Sequence, residues 1–428
     1  MHPIEFLNTY LLGSCLPPLL LAAGLFFAIR LSFFPLRHPI RTARRLGGGD
    51  ARSSLSALTV ALAGTLGVGN IAGVGVALSV GGEGAVLWMV VGATLASFLK
   101  YAEITLTLDR KRAGVSRGTL DYIAPTLGRG PAALFALLTL ALALTMGSLL
   151  QGQVIAETAA SLGRVLPLSV GLLLAALTLL LFLGGQRAVA RLSGLLIPPL
   201  TLLYTLAAIA VVTVNYTAIP TALLRILRGA LSPASAGGGL LGSGVAAAVR
   251  AGIGRGLFSN EAGAGTAPFA HGAADGSSPA RQGLFGIVEV LLDTVLMCSL
   301  TARAVLTVFD PLPSLSGTAL VAAAFGSVFG DLAGSLVSLS VILFAYATVA
   351  CWVSYGRQAL GHLTDRRLPR LLFPLLFSGM LIVGAVMPAT GAWGAADLVL
   401  GGMTVINTVA LLKNEKRVRT LTEEYGLL

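Results

Sequence analysis

The charges of this chain are almost all gathered into short loops, and the stretches between them are apolar and long. Leu172 to Leu183 is a nearly continuous case. A membrane-spanning helix needs about 20 predominantly apolar residues, and the chain repeats such stretches from end to end. Charged residues make up 11% of the sequence, against about 25% in a soluble domain. A water-facing surface cannot be built from so few, so the surplus apolar surface must face lipid. Helices are the expected element, because membrane strands would alternate apolar and polar residues and these runs do not. The 53 glycines suit close packing of such helices.

A net charge of +11 does not point to nucleic acid, because most of the positive residues lie in loops between apolar runs, as membrane topology requires. Cys15, Cys298 and Cys351 are too scattered for a disulfide framework or a metal site and read as small packing residues. The start of the chain, Met1 to Tyr10, is not basic, so the first span reads as a mature helix and not a cleaved signal.

The pattern predicts an all-α membrane protein with about eleven spans. They are Gly13–Phe34, Ser53–Val80, Gly84–Leu108, Pro131–Leu162, Leu166–Leu183, Leu192–Val214, Leu240–Ala270, Gln282–Phe309, Leu332–Leu360, Leu371–Pro388 and Trp393–Leu412. Arg37, Arg41, Arg44, Arg45 and Arg52 follow the first span, and Arg110, Lys111, Arg112, Arg117 and Arg129 the third. Later odd-numbered spans are followed by Arg187 and Arg191, Arg281, Arg357 with Arg366, Arg367 and Arg370, and a basic tail. The other loops are poorer, apart from Arg225 and Arg228. The positive-inside rule therefore predicts a plasma-membrane protein with its N-terminus outside and its C-terminus in the cytoplasm. The 310–331 loop has room for a short surface helix, and loops this long are often lids or gates.

Two spans carry helix-weakening clusters. The second contains Gly64, Gly67, Gly69 and Gly73 around Asn70. Each glycine weakens a helix by about 1 kcal/mol relative to alanine. The seventh runs Gly252-Ile253-Gly254-Arg255-Gly256-Leu257-Phe258-Ser259-Asn260-Glu261-Ala262-Gly263-Ala264-Gly265-Thr266-Ala267-Pro268. One such cluster reads as plain packing. Two, five spans apart, enter the membrane from opposite sides, which is the inverted-repeat arrangement. The implied organisation is an N-terminal helix and loop (1–52), a five-helix repeat (53–214), an external loop (215–239), a second repeat (240–412) and a tail (413–428). Gly67-x-Gly69 is no nucleotide loop, since no strand precedes it.

At these segments the chain resembles the alanine/glycine:cation symporter family, the sodium:alanine symporters. The resemblance rests on Gly64–Gly73 with Gly81-Gly82-Glu83-Gly84-Ala85-Val86-Leu87-Trp88, on Lys100-Tyr101-Ala102-Glu103, and above all on Arg255–Gly263, continuing through Ala267-Pro268, His271, Arg281-Gln282-Gly283 and Asp293-Thr294. It implies a LeuT-like five-plus-five inverted repeat with one extra N-terminal helix, sodium as coupling ion, no other cofactor, and a small neutral amino acid as substrate. The chain departs from the family pattern where Val68 and Ala347 replace hydroxyl residues and Leu400 replaces an asparagine. Ser148 and Gln153 flank the retained Gln151 in place of two asparagines, and Arg357 replaces a glutamate. Thr119-Leu120-Asp121-Tyr122 stands for a Pro-Met-Tyr-Tyr stretch.

Candidate roles follow. Gly67 and Gly69 let backbone meet a substrate carboxylate, and Asn70 either coordinates a cation or caps the half-helix. Phe258, Ser259 and Asn260 occupy the second cluster. Phe258 either closes over substrate or packs in the core. Ser148 and Gln151 share a helix face, as do Thr348 and Trp352. Trp352 either floors a pocket or anchors at the interface. Backbone oxygens around Thr65 and Gly67, with the Thr348 hydroxyl, form the candidate sodium site, because sodium prefers hard oxygen ligands. Arg255 and Glu261 are ionisable groups within the membrane and read as a structural pair. Lys100 and Glu103 read as another, and Glu289 with Asp293 as helix–helix hydrogen-bonding groups. A proton-coupled or uncoupled amino-acid carrier is the alternative, favoured by Val68 and Ala347. A membrane-embedded enzyme lacks a catalytic set, with 4 histidines and no ligand cluster.

Overall fold

A computed structural model describes residues 15–47, 51–111, 116–231, 244–388 and 390–428. Among the described residues every regular element is a helix, which satisfies backbone groups within each segment where no water can. In chain order these are α1 (Leu16–Arg30), α2 (Ala51–Thr65), α3 (Val74–Gly81), α4 (Ala85–Arg110), α5 (Arg129–Leu144), α6 (Leu150–Leu162), α7 (Pro167–Val214), α8 (Ile219–Leu231), α9 (Val245–Asn260), α10 (Ala267–His271), α11 (Pro279–Val290), α12 (Ser299–Val308), α13 (Gly317–Phe329), α14 (Asp331–Leu363), α15 (Arg367–Val386), α16 (Thr390–Lys413) and α17 (Glu415–Glu424). Short π-helical stretches at Gly69–Gly73, Thr145–Leu149 and Leu291–Cys298 join the pairs α2/α3, α5/α6 and α11/α12. Such bulges concentrate at functional sites.

Among the described residues seven helical segments, α5 with α6 and α11 with α12 each counted as one, are long and apolar enough to cross a membrane, or eight if α2 and α3 are one bent span. The chain is a multi-pass membrane protein, and the expected count of eleven is not reached by that measure. The reasons are local. α1 has 15 residues, short of a full crossing. The expected fifth and sixth spans run together as the 48-residue α7, in which Gly185 (φ 63°, ψ −158°) leaves the helical region. Drawn straight, that helix would reach about 72 Å, well beyond a hydrocarbon core of about 30 Å. The basic segment around Arg187 and Arg191 is therefore helical, not a loop. The expected seventh span is cut after Asn260. The expected helix in the 310–331 loop is present as α13, and α8 occupies much of the loop after α7. The Gly-rich end of that loop lies outside the described residues.

Many large apolar side chains on α7 and α15 point outward, Leu172, Leu180, Leu183, Leu195, Leu371 and Leu375 among them. That surface suits lipid. Inward, packing depends on glycine. A Cβ on Gly384 of α15 would lie 1.9 Å from the Leu149 carbonyl oxygen, and one on Gly152 of α6 would lie 2.4 Å from that of Leu381. Two helices thus cross backbone to backbone in both directions, as small residues permit. The tail helix α17 returns to the bundle: Tyr101 and Thr422 hydroxyls meet at 2.9 Å, and Arg30 donates to both oxygens of Glu415 at 3.0 and 2.8 Å. Those hydrogen bonds hold the Glu415 carboxyl below its ordinary range. Its contribution to docking is therefore present at neutral pH and is lost as pH falls through that lowered value.

Because nothing flexible stands against Gly384, Gly384→Ala should cost about 1–3 kcal/mol through overpacking. Thermal unfolding in detergent should fall by several degrees, while Gly379→Ala, which meets no neighbouring atom within 4 Å, should leave it near wild type.

Candidate functional site

The two glycine-rich spans are interrupted where they meet. The second bends by 51° between residues 52–65 and 69–81, with the gap at Leu66–Gly67. Gly69 and Asn70 are already helical again, so this break is narrower than the cluster suggested. The seventh span breaks at Glu261–Thr266, where Glu261 (φ 53°), Gly263 (φ 93°) and Gly265 (φ 78°) take left-handed conformations. Phe258, Ser259 and Asn260 form the last turn of α9 and lie just before the gap. The two breaks touch: a Cβ on Gly69 would lie 2.7 Å from the Ser259 Cα. Only glycine admits this approach.

Asn70 organises the contact. Its Oδ1 accepts from the Gly67 N–H at 2.8 Å, and its Nδ2 donates to the Asp293 carbonyl and to Asp293 Oδ1, each at 2.8 Å. It caps the half-helix and also bridges to the π-helical stretch after α11. Asp293 accepts further bonds at Oδ2 from Ser259 at 2.9 Å and Thr294 at 2.6 Å. Asn260 Nδ2 donates to Thr294 Oγ1 at 3.0 Å, and its Oδ1 accepts from the Ala262 N–H at 2.9 Å. Thr348 sits at the other side of the first break, donating to the Ala63 carbonyl at 3.1 Å and lying 2.8 Å from where a Cβ on Gly67 would be. The Thr65 hydroxyl turns elsewhere, to Ala61 O and to Glu289 Oε1, each at 3.2 Å.

The remaining expected residues lie deeper in the bundle. Trp352 is fully buried, which excludes an interfacial anchor. Its side chain lies against Gly147, and its ring meets Tyr355 edge-on at 5.2 Å. Ser148 donates to the Phe377 carbonyl at 2.6 Å, and Gln151 Nε2 to Met146 O at 3.0 Å. Gln151 Oε1 and Trp352 Nε1 have no partner among the described residues. Phe258 packs on Trp393 with centroids 4.7 Å apart.

Both ionic pairings expected from sequence are replaced. Arg255 does not reach Glu261. It pairs with Asp397 on α16 and stacks over the Phe258 and Trp393 rings at 5.4 and 5.0 Å. Helix geometry explains this, since residues six apart do not face each other on a helix, and Glu261 lies just past the last turn of α9. Lys100 likewise passes Glu103 and bonds Glu289 at 2.7 Å and the Asn260 carbonyl at 2.6 Å. Glu289 Oε2 lies 3.2 Å from His271 Nε2, whose Nδ1 meets Gln282 at 2.9 Å. Glu103 instead accepts from Asn407 at 2.7 Å and the Gly265 N–H at 3.2 Å. Asp397, Asn407 and His271 were not among the candidate site residues. Asp397 carried a usable signal, being an acid within an apolar span.

Two cavities flank this centre. One, of about 800 Å³, is lined by Ala72, Val76, Gln153, Glu157, Asp331 and Trp393 among others. The other, of about 430 Å³, lies at the basic end, between Arg52, Gln186, Arg187, Phe269 and Ser354. Between them lie the breaks, buried and polar.

Interrupted helices that meet inside a helical membrane bundle, with a cavity on either side, define the class of a membrane transporter. The pattern of the Sodium:alanine symporter family matches residues 1–427. A transporter of Haemophilus influenzae without an assigned substrate is 33% identical, over 99% of this chain and 95% of its own length. The sodium/alanine symporter AgcS of Methanococcus maripaludis is 32% identical, over 96% and 93%. The amino-acid carrier protein AlsT of Bacillus subtilis is 32% identical, over 96% and 89%. The chain belongs to the sodium:alanine symporter family and is a transporter, not an enzyme.

Breaking the Lys100–Glu289 pair on one side leaves a buried charge unpaired. Lys100→Met should therefore destabilise the protein by about 3–5 kcal/mol. Lys100→Met with Glu289→Gln removes both charges and should recover most of that loss, read as the unfolding temperature of purified protein.

Proposed function

We propose that the chain imports a small neutral amino acid, alanine or glycine, together with sodium by alternating access. The observation that carries this reading is the contact between the two interrupted spans, Gly69 against Ser259. It leaves backbone donors and acceptors near mid-bundle, where a zwitterion and a cation need them. The names of AgcS and AlsT support the substrate class.

In this reading the substrate carboxylate meets backbone at Gly67 and Gly69 beside Asn70. Phe258, Ser259 and Asn260 cover it, while Ser148, Gln151 and Trp352 close the pocket from the fourth and ninth spans. The unpartnered Gln151 Oε1 and Trp352 Nε1 are groups that a bound polar ligand satisfies. Sodium is held by backbone oxygens around Thr65 and Gly67 with the Thr348 hydroxyl. Thr348 already faces Ala63 O and Gly67, which supports its assignment. The Thr65 contribution is its carbonyl, because its hydroxyl is engaged by Glu289.

The same reading counts eleven spans. Dividing α7 at Gly185 gives two, joining α9 with α10 gives one broken span, and α1 is the extra N-terminal helix. Residues 53–214 and 240–412 are then LeuT-like inverted repeats, with the N-terminus outside and the C-terminus in the cytoplasm.

Uptake of radiolabelled alanine and glycine into proteoliposomes should require an inward sodium gradient. Thr348→Val removes one neutral oxygen ligand, a loss of about 1–1.5 kcal/mol. The sodium concentration for half-maximal uptake should then rise about tenfold with the protein still folded. Val68 and Ala347 supply no oxygen, which favours a second reading: uptake that ignores sodium and follows a proton gradient would replace the first. For orientation, cysteines placed in the 35–52 loop and in the 413–428 tail should resist an impermeant reagent in intact cells. Labelling of either from outside would reverse the topology.

A further inference from the structure

The centre holds more acid than base. Lys100, Glu103, Glu261, His271, Glu289 and Asp293 are all buried. Lys100 and Glu289 neutralise one another. Asp293 accepts from Asn70, Ser259 and Thr294, a donor set that suits an ionised carboxylate. Glu103 is half-satisfied, with two donors on Oε1 and none on Oε2. Glu261 shares that shortfall and sits in the break itself. It is 1% exposed, and its Oε1 has no hydrogen-bond partner among the described residues. The next residue, Ala262, lies in an apolar cluster with Ala93, Ala96 and Val290. Its backbone sits in the left-handed region (φ 53°), which glutamate rarely adopts. The break therefore fixes this side chain inside the protein without supplying a full set of donors.

A bare carboxylate there is strongly disfavoured. Two species can relieve it, a metal cation or a proton. A cation needs several oxygens around it, whereas Glu289 and Asp293, the two acids near Glu261, are already engaged by Lys100 and by Asn70, Ser259 and Thr294. A proton needs only the carboxyl. We propose that Glu261 is a proton-binding site: the closed break holds it as a neutral acid, and opening of the seventh span toward water releases the proton. The proton comes from water. It forms an O–H bond on the carboxyl when the break closes and returns to water when it opens, with no other bond changed.

The charged and titratable groups around Glu261 are Lys100 from α4, Glu289 from α11, Asp293 from the stretch after it, and Cys351 and Tyr355 from α14. Two of the three charged groups are acids, and Lys100 is already engaged by Glu289. Tyr355 rests on Phe269 at 5.6 Å, and Phe269 lines the cavity at the basic end. One layer of rings therefore separates the carboxyl from a route to water. The proposal holds whichever ion drives uptake, because it concerns a group inside the seventh break and not the Thr348 site.

Infrared spectra of the full-length protein in lipid nanodiscs near neutral pH test it directly. The carbonyl stretch of a protonated carboxylic acid should be present, should vanish in Glu261→Gln, and should remain in Glu103→Gln. A spectrum without that band, a band untouched by Glu261→Gln, or one lost only in Glu103→Gln would overturn the assignment. Should Glu261→Gln fail to fold, Glu261→Asp serves in its place: the band should move in frequency, and an unmoved band is equally fatal. In proteoliposomes at saturating sodium, the pH profile of uptake should flatten in the glutamine or aspartate variant. An unchanged profile would separate Glu261 from the transport cycle and overturn the release step.

Discussion

A helix can be interrupted inside a membrane only where the freed backbone groups find partners in the protein, and much of this site answers that constraint. At the first break the Gly67 N–H goes to Asn70 Oδ1, and the Ala63 carbonyl takes the Thr348 hydroxyl. At the second, the Asn260 carbonyl takes Lys100, the Ala262 N–H goes to Asn260 Oδ1, and the Gly263 carbonyl takes Asn407. The Gly265 carbonyl takes the Thr119 hydroxyl, and its N–H goes to Glu103. These polar side chains come from the second, third, seventh, ninth and last apolar segments and from the link before α5. Each does what water would do in a soluble loop.

This explains why charge is tolerated so deep. Lys100 donates to a carbonyl at the end of α9 and to Glu289, and Glu289 reaches Thr65 at the end of α2 and His271 in α10. One ion pair thus touches the seventh span on either side of its gap and the second span just before its own. A neutral hydrogen bond would satisfy the same carbonyl, but a charged donor makes a stronger one. The alternative for Glu289 is an unpaired charge in a low-dielectric interior, so the four segments are held to one geometry. Both interrupted spans are therefore tied to Glu289 as well as to one another at Gly69 and Ser259.

Much of this was legible in the sequence. Apolar runs and gathered charge sufficed for a helical membrane bundle. The glycines at 64, 67, 69 and 73, and those from 252 to 265, marked both interruptions, because glycine's cost in a helix is a local property. What was not legible depends on direction. Arg255 and Glu261 are six residues apart and look like partners in a list. That spacing does not bring two side chains together on a helix, and Asp397, 142 residues distant, takes the guanidinium. Lys100 and Glu103 are three apart on a continuous helix, the spacing of a surface pair, yet α4 is enclosed by neighbours on both faces. Each charge is drawn to the neighbour that needs it most. The number of spans was harder to read for another reason. Around Gly185 the chain stays helical through its basic segment, so hydropathy alone sees a gap where the backbone has only a kink.

The residues that depart from the family pattern sharpen the role of backbone at the ion site. Val68 is 2% exposed and Ala347 fully buried, and both adjoin in sequence the residues proposed above as sodium ligands. Neither side chain can supply an oxygen. A cation between Thr348 and the first break would therefore rely on carbonyls released by the bend at Leu66–Gly67. Those carbonyls exist as ligands only while the helix is broken. In such a site the ion and the bend would stabilise one another: the bend would supply backbone ligands that the side chains do not, and the ion would add to the 3.3 Å bond that the Gly67 carbonyl accepts from the Asn70 N–H. Sodium binding would then be a statement about the shape of the second span as much as about its composition, and occupancy would favour the bent conformation from which Gly69 reaches Ser259.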